Sequence, residues 1–156
     1  MQKEFRFNYQ LHSDWKDLDA SYKKLIDQAY QAMDKAYAPY SKFRVGAAAL
    51  LEDGTVVLGN NQENIAYPSG LCAERVALFY AGANFPEKKV QKLIIVARGE
   101  LMATDQLLSP CGGCRQVMLE TENRQQQAIE VLLVNQDNRV LILNSVKDLL
   151  PFGFGC

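Results

Sequence analysis

Histidine is almost absent from this sequence: one residue, His12, in 156. A metal centre built on several imidazoles is therefore excluded, and His12 itself sits far upstream in a polar N-terminal segment. Neither acidic nor basic residues are in excess. Seventeen Lys and Arg against eighteen Asp and Glu leave a formal net charge of −1, which argues against a general nucleic-acid surface, because neutralising phosphates takes clustered basic residues. A small-molecule substrate is favoured instead. No apolar run approaches the roughly 20 residues of a membrane span, and Met1 to Phe7 has no apolar stretch of the secretory kind. A cytoplasmic location with no membrane partner is expected, and thiols stay reduced there. The four cysteines therefore read as ligands or free thiols, not as two bridges. Repeats, low-complexity tracts and linkers are also lacking. At 48% hydrophobic and 22% charged, the composition fits one globular domain over residues 13–156, preceded by an arm at 1–12 with no legible function.

What is present is a regular alternation of periodicities. Ser13 or Asp14 can cap a helix carrying Trp15, Leu18, Tyr22, Leu25, Ile26, Ala29, Tyr30, Met33 and Tyr37 at helical spacing, with Pro39 to end it. Val45 to Leu51 and Thr55 to Gly59, joined through Asp53-Gly54, predict a β-hairpin. A helix is predicted over Leu71 to Ala81, and a strand over Gln91 to Arg98. The continuous apolar stretch Leu93 to Ala97 inside that strand suits burial on both faces. A third helix is predicted from Cys111 through Leu119, then strands at Ile129 to Val134 and Val140 to Leu143, and a short helix at Val146 to Leu150 capped by Ser145. This order implies an α/β fold, a three-layer α/β/α sandwich around a sheet of about five strands. Pattern alone leaves strand order open, and with it the direction of the last two strands.

The chemistry concentrates in Cys72-Ala73-Glu74-Arg75 and Pro110-Cys111-Gly112-Gly113-Cys114-Arg115. One cysteine and a C-x-x-C pair supply three thiolates, and zinc with three protein ligands keeps its fourth position open for water, the arrangement of catalytic sites. Glu74, two positions from a candidate ligand, is suited to general acid/base work without ligating. By itself the C-x-x-C also fits a redox pair or half of a structural zinc knuckle, and Cys156, the last residue of the sequence, would close the site if it were a fourth ligand. It is expected to be dispensable. Three thiolates and Zn²⁺ retain net negative charge, so a compensating cation is needed; Arg75 and Arg115 are the candidates.

Tyr37 to Ala48, Asn61-Gln62-Glu63-Asn64-Ile65-Ala66-Tyr67-Pro68, Cys72-Ala-Glu-Arg75 and Ser109-Pro-Cys-Gly-Gly-Cys-Arg-Gln116 together resemble the small homotetrameric, three-cysteine cytidine deaminases. The resemblance covers about Tyr37 to the end. It implies a mixed five-stranded sheet with zinc between two helix N-termini, Cys72, Cys111 and Cys114 as ligands, and Glu74 as proton shuttle. It further implies hydrolytic deamination of cytidine and deoxycytidine by a zinc-bound hydroxide in pyrimidine salvage. Asn61 and Glu63 would bind the sugar, Phe43 would pack beside the nucleoside, and the main-chain N–H of Ala73 would face the ring carbonyl. Phe154 would cross into a neighbouring subunit's site, completing it within a homotetramer. Arg44 departs from the proline that the family commonly has after the phenylalanine. Two rival readings remain: a deaminase of a cytosine-nucleoside antibiotic, and a catalytically idle zinc-stabilised interaction module.

Overall fold

The computed structural model describes residues 1–155, so the expectation for Cys156 lies outside the described residues. The strands are β1 (Tyr9–His12), β2 (Phe43–Leu51), β3 (Val56–Asn60), β4 (Val90–Gly99), β5 (Glu130–Val134) and β6 (Val140–Leu143). They form one sheet in the order β1-β6-β5-β4-β2-β3. Only β4 and β5 run parallel; the other neighbours are antiparallel, including β5 with β6. The sheet thus has six strands and not the expected five. The extra strand is β1, paired Tyr9↔Leu143 to His12↔Val140 at the sheet edge. Its side chains are mostly exposed, so backbone pairing holds it, and no buried apolar run announces it in the sequence.

Alternation along the strands splits the core into two layers. Ala47, Ala49, Leu93, Ile95, Val131 and Leu133 point to one face, and Ala48, Ile94, Val96, Leu132 and Val134 to the other. Leu93 to Ala97 is buried on both sides, as its continuous hydrophobicity predicts. Helix α1 (Ala20–Met33) covers the second face with Leu25, Ile26, Ala29 and Met33. It starts later than expected, because Asp14 caps only a 3₁₀ turn over Trp15–Asp17, accepting from Lys16 N at 2.9 Å, and Leu18 then turns extended. It also ends before Tyr37, whose N–H donates to Asn61 O at 3.0 Å and whose carbonyl accepts from Glu63 N at 2.9 Å. Those backbone groups serve the Asn61–Glu63 segment instead of a last helical turn.

Helices α2 (Ala73–Asn84) and α3 (Gly112–Gln125) lie on the first face, with Cys72 and Cys111 as their N-caps. Glu122 anchors α3 from within. Its buried carboxylate accepts from Ile129 N and Val146 N, both at 2.8 Å, and from Ser145 Oγ at 2.6 Å. Ser145 also caps the final 3₁₀ turn, Val146–Asp148. No helix among the described residues is long and apolar enough to cross a membrane.

Two strand glycines set how closely the helices sit. A Cβ at Gly46 would fall 2.0 Å from Ala29 O, inside α1, and one at Gly59 would fall 2.4 Å from Ala73 O and 2.6 Å from Ala77 N, inside α2. The first turn of α2 therefore rests directly on β3. Gly59→Ala is expected to destabilise the protein by about 1–3 kcal/mol, the range of overpacking, and to weaken zinc retention by lifting the Cys72 end of α2. Gly112→Ala, where a Cβ meets nothing within 4 Å, should leave both unchanged in thermal denaturation and zinc titration.

Candidate active site

The N-termini of α2 and α3 converge on the sheet, and their capping cysteines come with them. The Sγ atoms of Cys72, Cys111 and Cys114 all lie within 4.8 Å of one another, and Cys111 and Cys114 Sγ are 3.4 Å apart. Cys114 is buried, Cys72 half-buried and Cys111 exposed. Each helix start contributes about half a positive charge and several N–H groups with no intrahelical acceptor, a favourable setting for thiolates. The Cys72 thiol is drawn down, first by the hydrogen bond from Cys114 and then by the Arg75 guanidinium. Cys114, as donor of that shared proton and buried, is pushed the opposite way.

Glu74 faces the same cluster from the first turn of α2. It is 4% exposed, and its Oε2 is a buried atom without a hydrogen-bond partner. Burial pushes its carboxyl up to about 7, against the pull of its own backbone N–H and with the neighbouring Cys72 adding to the rise. Arg75 Nη2 donates to Cys72 Sγ at 3.6 Å. Arg115 does not share this role: its Nε donates to Pro110 O at 2.9 Å, its Nη2 to Ser109 Oγ at 2.7 Å and its Nη1 to Leu149 O at 2.9 Å. It braces the loop before Cys111 against the C-terminal tail.

Cys72, Cys111, Glu74 and Arg75 line a cavity of about 880 Å³. Phe43, Asn61 and Glu63 line it too, and Ile65, Leu101 and Met102 add apolar surface. Arg75 is the one cationic side chain among the described residues of the lining. Asn61 is 8% exposed; its Oδ1 accepts from Val45 N at 2.8 Å and its Nδ2 donates to Phe43 O at 2.9 Å. Glu63 Oε2 accepts from Tyr40 N at 2.9 Å and Ser41 N at 3.2 Å, and Oε1 accepts from the Ser41 hydroxyl. Ala73 is fully buried and outside the lining. Phe154 is also outside it. Its side chain is 88% exposed, while its backbone is fixed by Gln116, which accepts from Phe154 N and donates to Phe154 O, both at 3.0 Å. No residue pattern announces the tail-holding of Gln116, the loop brace of Arg115, or the lining that Leu101 and Met102 supply from an irregular loop.

The family model described as "Cytidine and deoxycytidylate deaminase zinc-binding region" matches residues 19–129, which include the three cysteines and Glu74. The chain belongs to the zinc-dependent cytidine deaminase family. Among curated relatives, a cytidine deaminase of Mycobacterium tuberculosis is 37% identical over 137 residues, 88% of this chain and 92% of that protein. One of Halalkalibacterium halodurans is 47% identical over 96 residues, 62% of this chain and 68% of that protein. Among solved structures, a cytidine deaminase of Burkholderia pseudomallei superposes with a TM-score of 0.72 at 41% identity, covering 85% of this chain and 98% of that one. An enzyme of this class excludes the idle-module reading. The donor set fits zinc: three converging sulfurs, two of them helix N-caps, beside a buried carboxylate oxygen that lacks a partner.

Three thiolates outweigh the charge of one zinc, so the Arg75 contact to Cys72 has electrostatic work to do. Arg75→Ala is expected to weaken zinc affinity by about 10–100-fold, the usual effect of removing a group that holds a metal ligand, with Arg75→Lys recovering part. Competition of each variant against a calibrated chelator measures this, and identical zinc affinity in all three proteins would remove Arg75 from the site's charge balance.

Proposed function

We propose that the chain catalyses hydrolytic deamination of cytidine and deoxycytidine to uridine and deoxyuridine, releasing ammonia, as a cytoplasmic enzyme of pyrimidine salvage. The observation that carries this reading is Glu74: a buried carboxyl with one unpartnered oxygen, lining a cavity beside three converging sulfurs.

Cys72, Cys111 and Cys114 hold the metal. When bound, zinc supplies the Lewis acidity that brings the pKa of a water to near neutrality. Glu74 accepts the proton that water gives up and passes it to N3 of the cytosine ring, which opens C4 to attack. The same carboxyl then takes the remaining proton from the oxygen now bonded to C4 and delivers it to the amino group; the C4–N bond breaks as C4=O forms, so cytosine and water become uracil and ammonia. The Ser109–Pro110 loop lines the cavity and is braced by Arg115 through Pro110 O; it supplies a backbone carbonyl to accept from the leaving amine.

The lining favours a nucleoside over a nucleotide. Among the described residues, the lining carries a single cationic side chain, Arg75, whose Nη2 donates to Cys72 Sγ at 3.6 Å, and both helix starts at the site are taken up by their capping cysteines, so no group there is set aside to pair with a phosphate. Asn61 and Glu63 bind the sugar hydroxyls with the acceptor and donor capacity that their backbone contacts leave over, and Phe43 packs against the nucleoside. The tail supports assembly as a homotetramer with shared sites: fixing the backbone of Phe154 while leaving its ring exposed suits insertion into a neighbour's cavity. Burying such a ring contributes roughly 1.5–3 kcal/mol.

The test is an ultraviolet assay with cytidine, deoxycytidine, deoxycytidylate and a cytosine-nucleoside antibiotic, run on the parent and on Glu74→Gln. The parent is expected to act on both nucleosides and at least ~10²-fold less well on the nucleotide, the discrimination expected when a charged group has no partner. Glu74→Gln should keep one zinc per chain and lose at least ~10²-fold in kcat, the low end for a positioned acid/base. Loss of zinc from folded Glu74→Gln would make Glu74 a ligand and end the mechanism. A preference for the antibiotic or the nucleotide would end the substrate assignment.

A further inference from the structure

We propose that Ser41 is a specificity-determining positioning residue: its hydroxyl fixes the Glu63 carboxylate as the acceptor for a sugar hydroxyl, and so sets the preference for nucleosides that carry one. The inference rests on the reading of Glu63 as a sugar ligand and adds a residue to which that reading gives no role.

The argument is one of donor and acceptor capacity. Ser41 Oγ accepts from Phe43 N at 3.0 Å, which turns its own proton away from that side and onto Glu63 Oε1. Phe43 O, at 3.4 Å from the same hydroxyl, is too distant to compete. An ionised carboxylate has about four acceptor positions. Tyr40 N and Ser41 N occupy those of Oε2, and the Ser41 hydroxyl takes one on Oε1. One position on Oε1 is left for substrate, in a residue that lines the cavity together with Ser41 and Tyr40. Burial alone would raise the Glu63 carboxyl, but the Ser41 hydroxyl and the two N–H groups outweigh it and hold it below the usual range, in keeping with an ionised acceptor.

The segment around Ser41 is built for this. Lys42 adopts a left-handed conformation, φ +52°, uncommon for a side chain of its kind. It folds residues 40–43 back so that Tyr40 N, Ser41 N and Ser41 Oγ all reach one carboxylate. Asn61 holds the far side of the same turn through Phe43 O and Val45 N. Without the hydroxyl, the remaining donors all bind Oε2, and the carboxylate can swing about its last bond, a torsion with a broad, soft profile. The position of Oε1 is then lost while the rest of the site stands.

The experiment compares kcat/KM for cytidine with that for 2′,3′-dideoxycytidine in the zinc-loaded parent and in Ser41→Ala, Ser41→Cys, Ser41→Thr and Glu63→Gln. Ser41→Ala is expected to lower the cytidine/dideoxycytidine ratio by about tenfold, the scale of one hydrogen bond to a charged group. The change should fall in KM for cytidine, with kcat within about threefold, since the reacting atoms lie at the zinc end of the cavity. Ser41→Cys, which keeps the volume but is a weak donor, should behave alike and stands in if the alanine variant does not fold. Ser41→Thr should restore the ratio. A purely structural role would lower both substrates together and leave the ratio at the parent value, which overturns the proposal. Glu63→Gln separates the two claims: if it leaves the ratio unchanged, the sugar-ligand reading fails and this inference with it. If Glu63→Gln collapses the ratio while Ser41→Ala does not, only the assignment of Ser41 is overturned.

Discussion

Two helices starting at the same point on one face of a sheet is the constraint on which this molecule depends. Cys72 caps α2 and Cys111 caps α3, and the three sulfurs come within 4.8 Å only because both helices are pressed onto their strands. Gly59 lets the first turn of α2 touch β3, and Glu122 ties α3 to the start of β5 and to the final turn. Helix-start N–H groups and the Arg75 guanidinium supply positive potential where the thiolates collect negative charge. Position and electrostatics therefore have one origin. The same turn of α2 that delivers a candidate ligand also buries Glu74 beside it, so the carboxyl proposed for acid/base work needs no separate scaffold.

The cavity at this site is mixed in chemistry. Cys72, Cys111 and Glu74 bring sulfur and carboxylate to the lining, Ile65, Leu101 and Met102 bring apolar surface, and the Asn61–Glu63 segment, tied to residues 40–45, brings polar groups.

The metal cluster was legible because ligand chemistry depends on residue type and spacing: a cysteine, a C-x-x-C pair and Glu74 at a fixed offset. The buried strand Leu93 to Ala97, the hairpin at Asp53-Gly54 and the Ser145 cap were legible because each is a local pattern with a local cause. β1 was missed because an edge strand with exposed side chains is held by backbone bonds that leave no hydrophobic trace. The length of α1 was overstated because the periodicity of Trp15 and Leu18 continues across a 3₁₀ turn, and because the backbone of Tyr37 is claimed by Asn61 and Glu63. Arg115 shows the limit of reading by adjacency: next to Cys114 in sequence, it points to the Ser109–Pro110 loop and the tail. Side-chain direction within a helix follows the turn, not the neighbour.

The central claim is that zinc is held by three sulfurs and keeps one position for the chemistry that Glu74 serves. Zinc-edge X-ray absorption on the purified holoenzyme tests it most directly. The account predicts three sulfurs at about 2.3 Å and one oxygen or nitrogen at about 2.0–2.2 Å, the distances usual for these ligands. Four sulfurs, with Cys156 supplying the fourth, would make the site closed and structural and would contradict it.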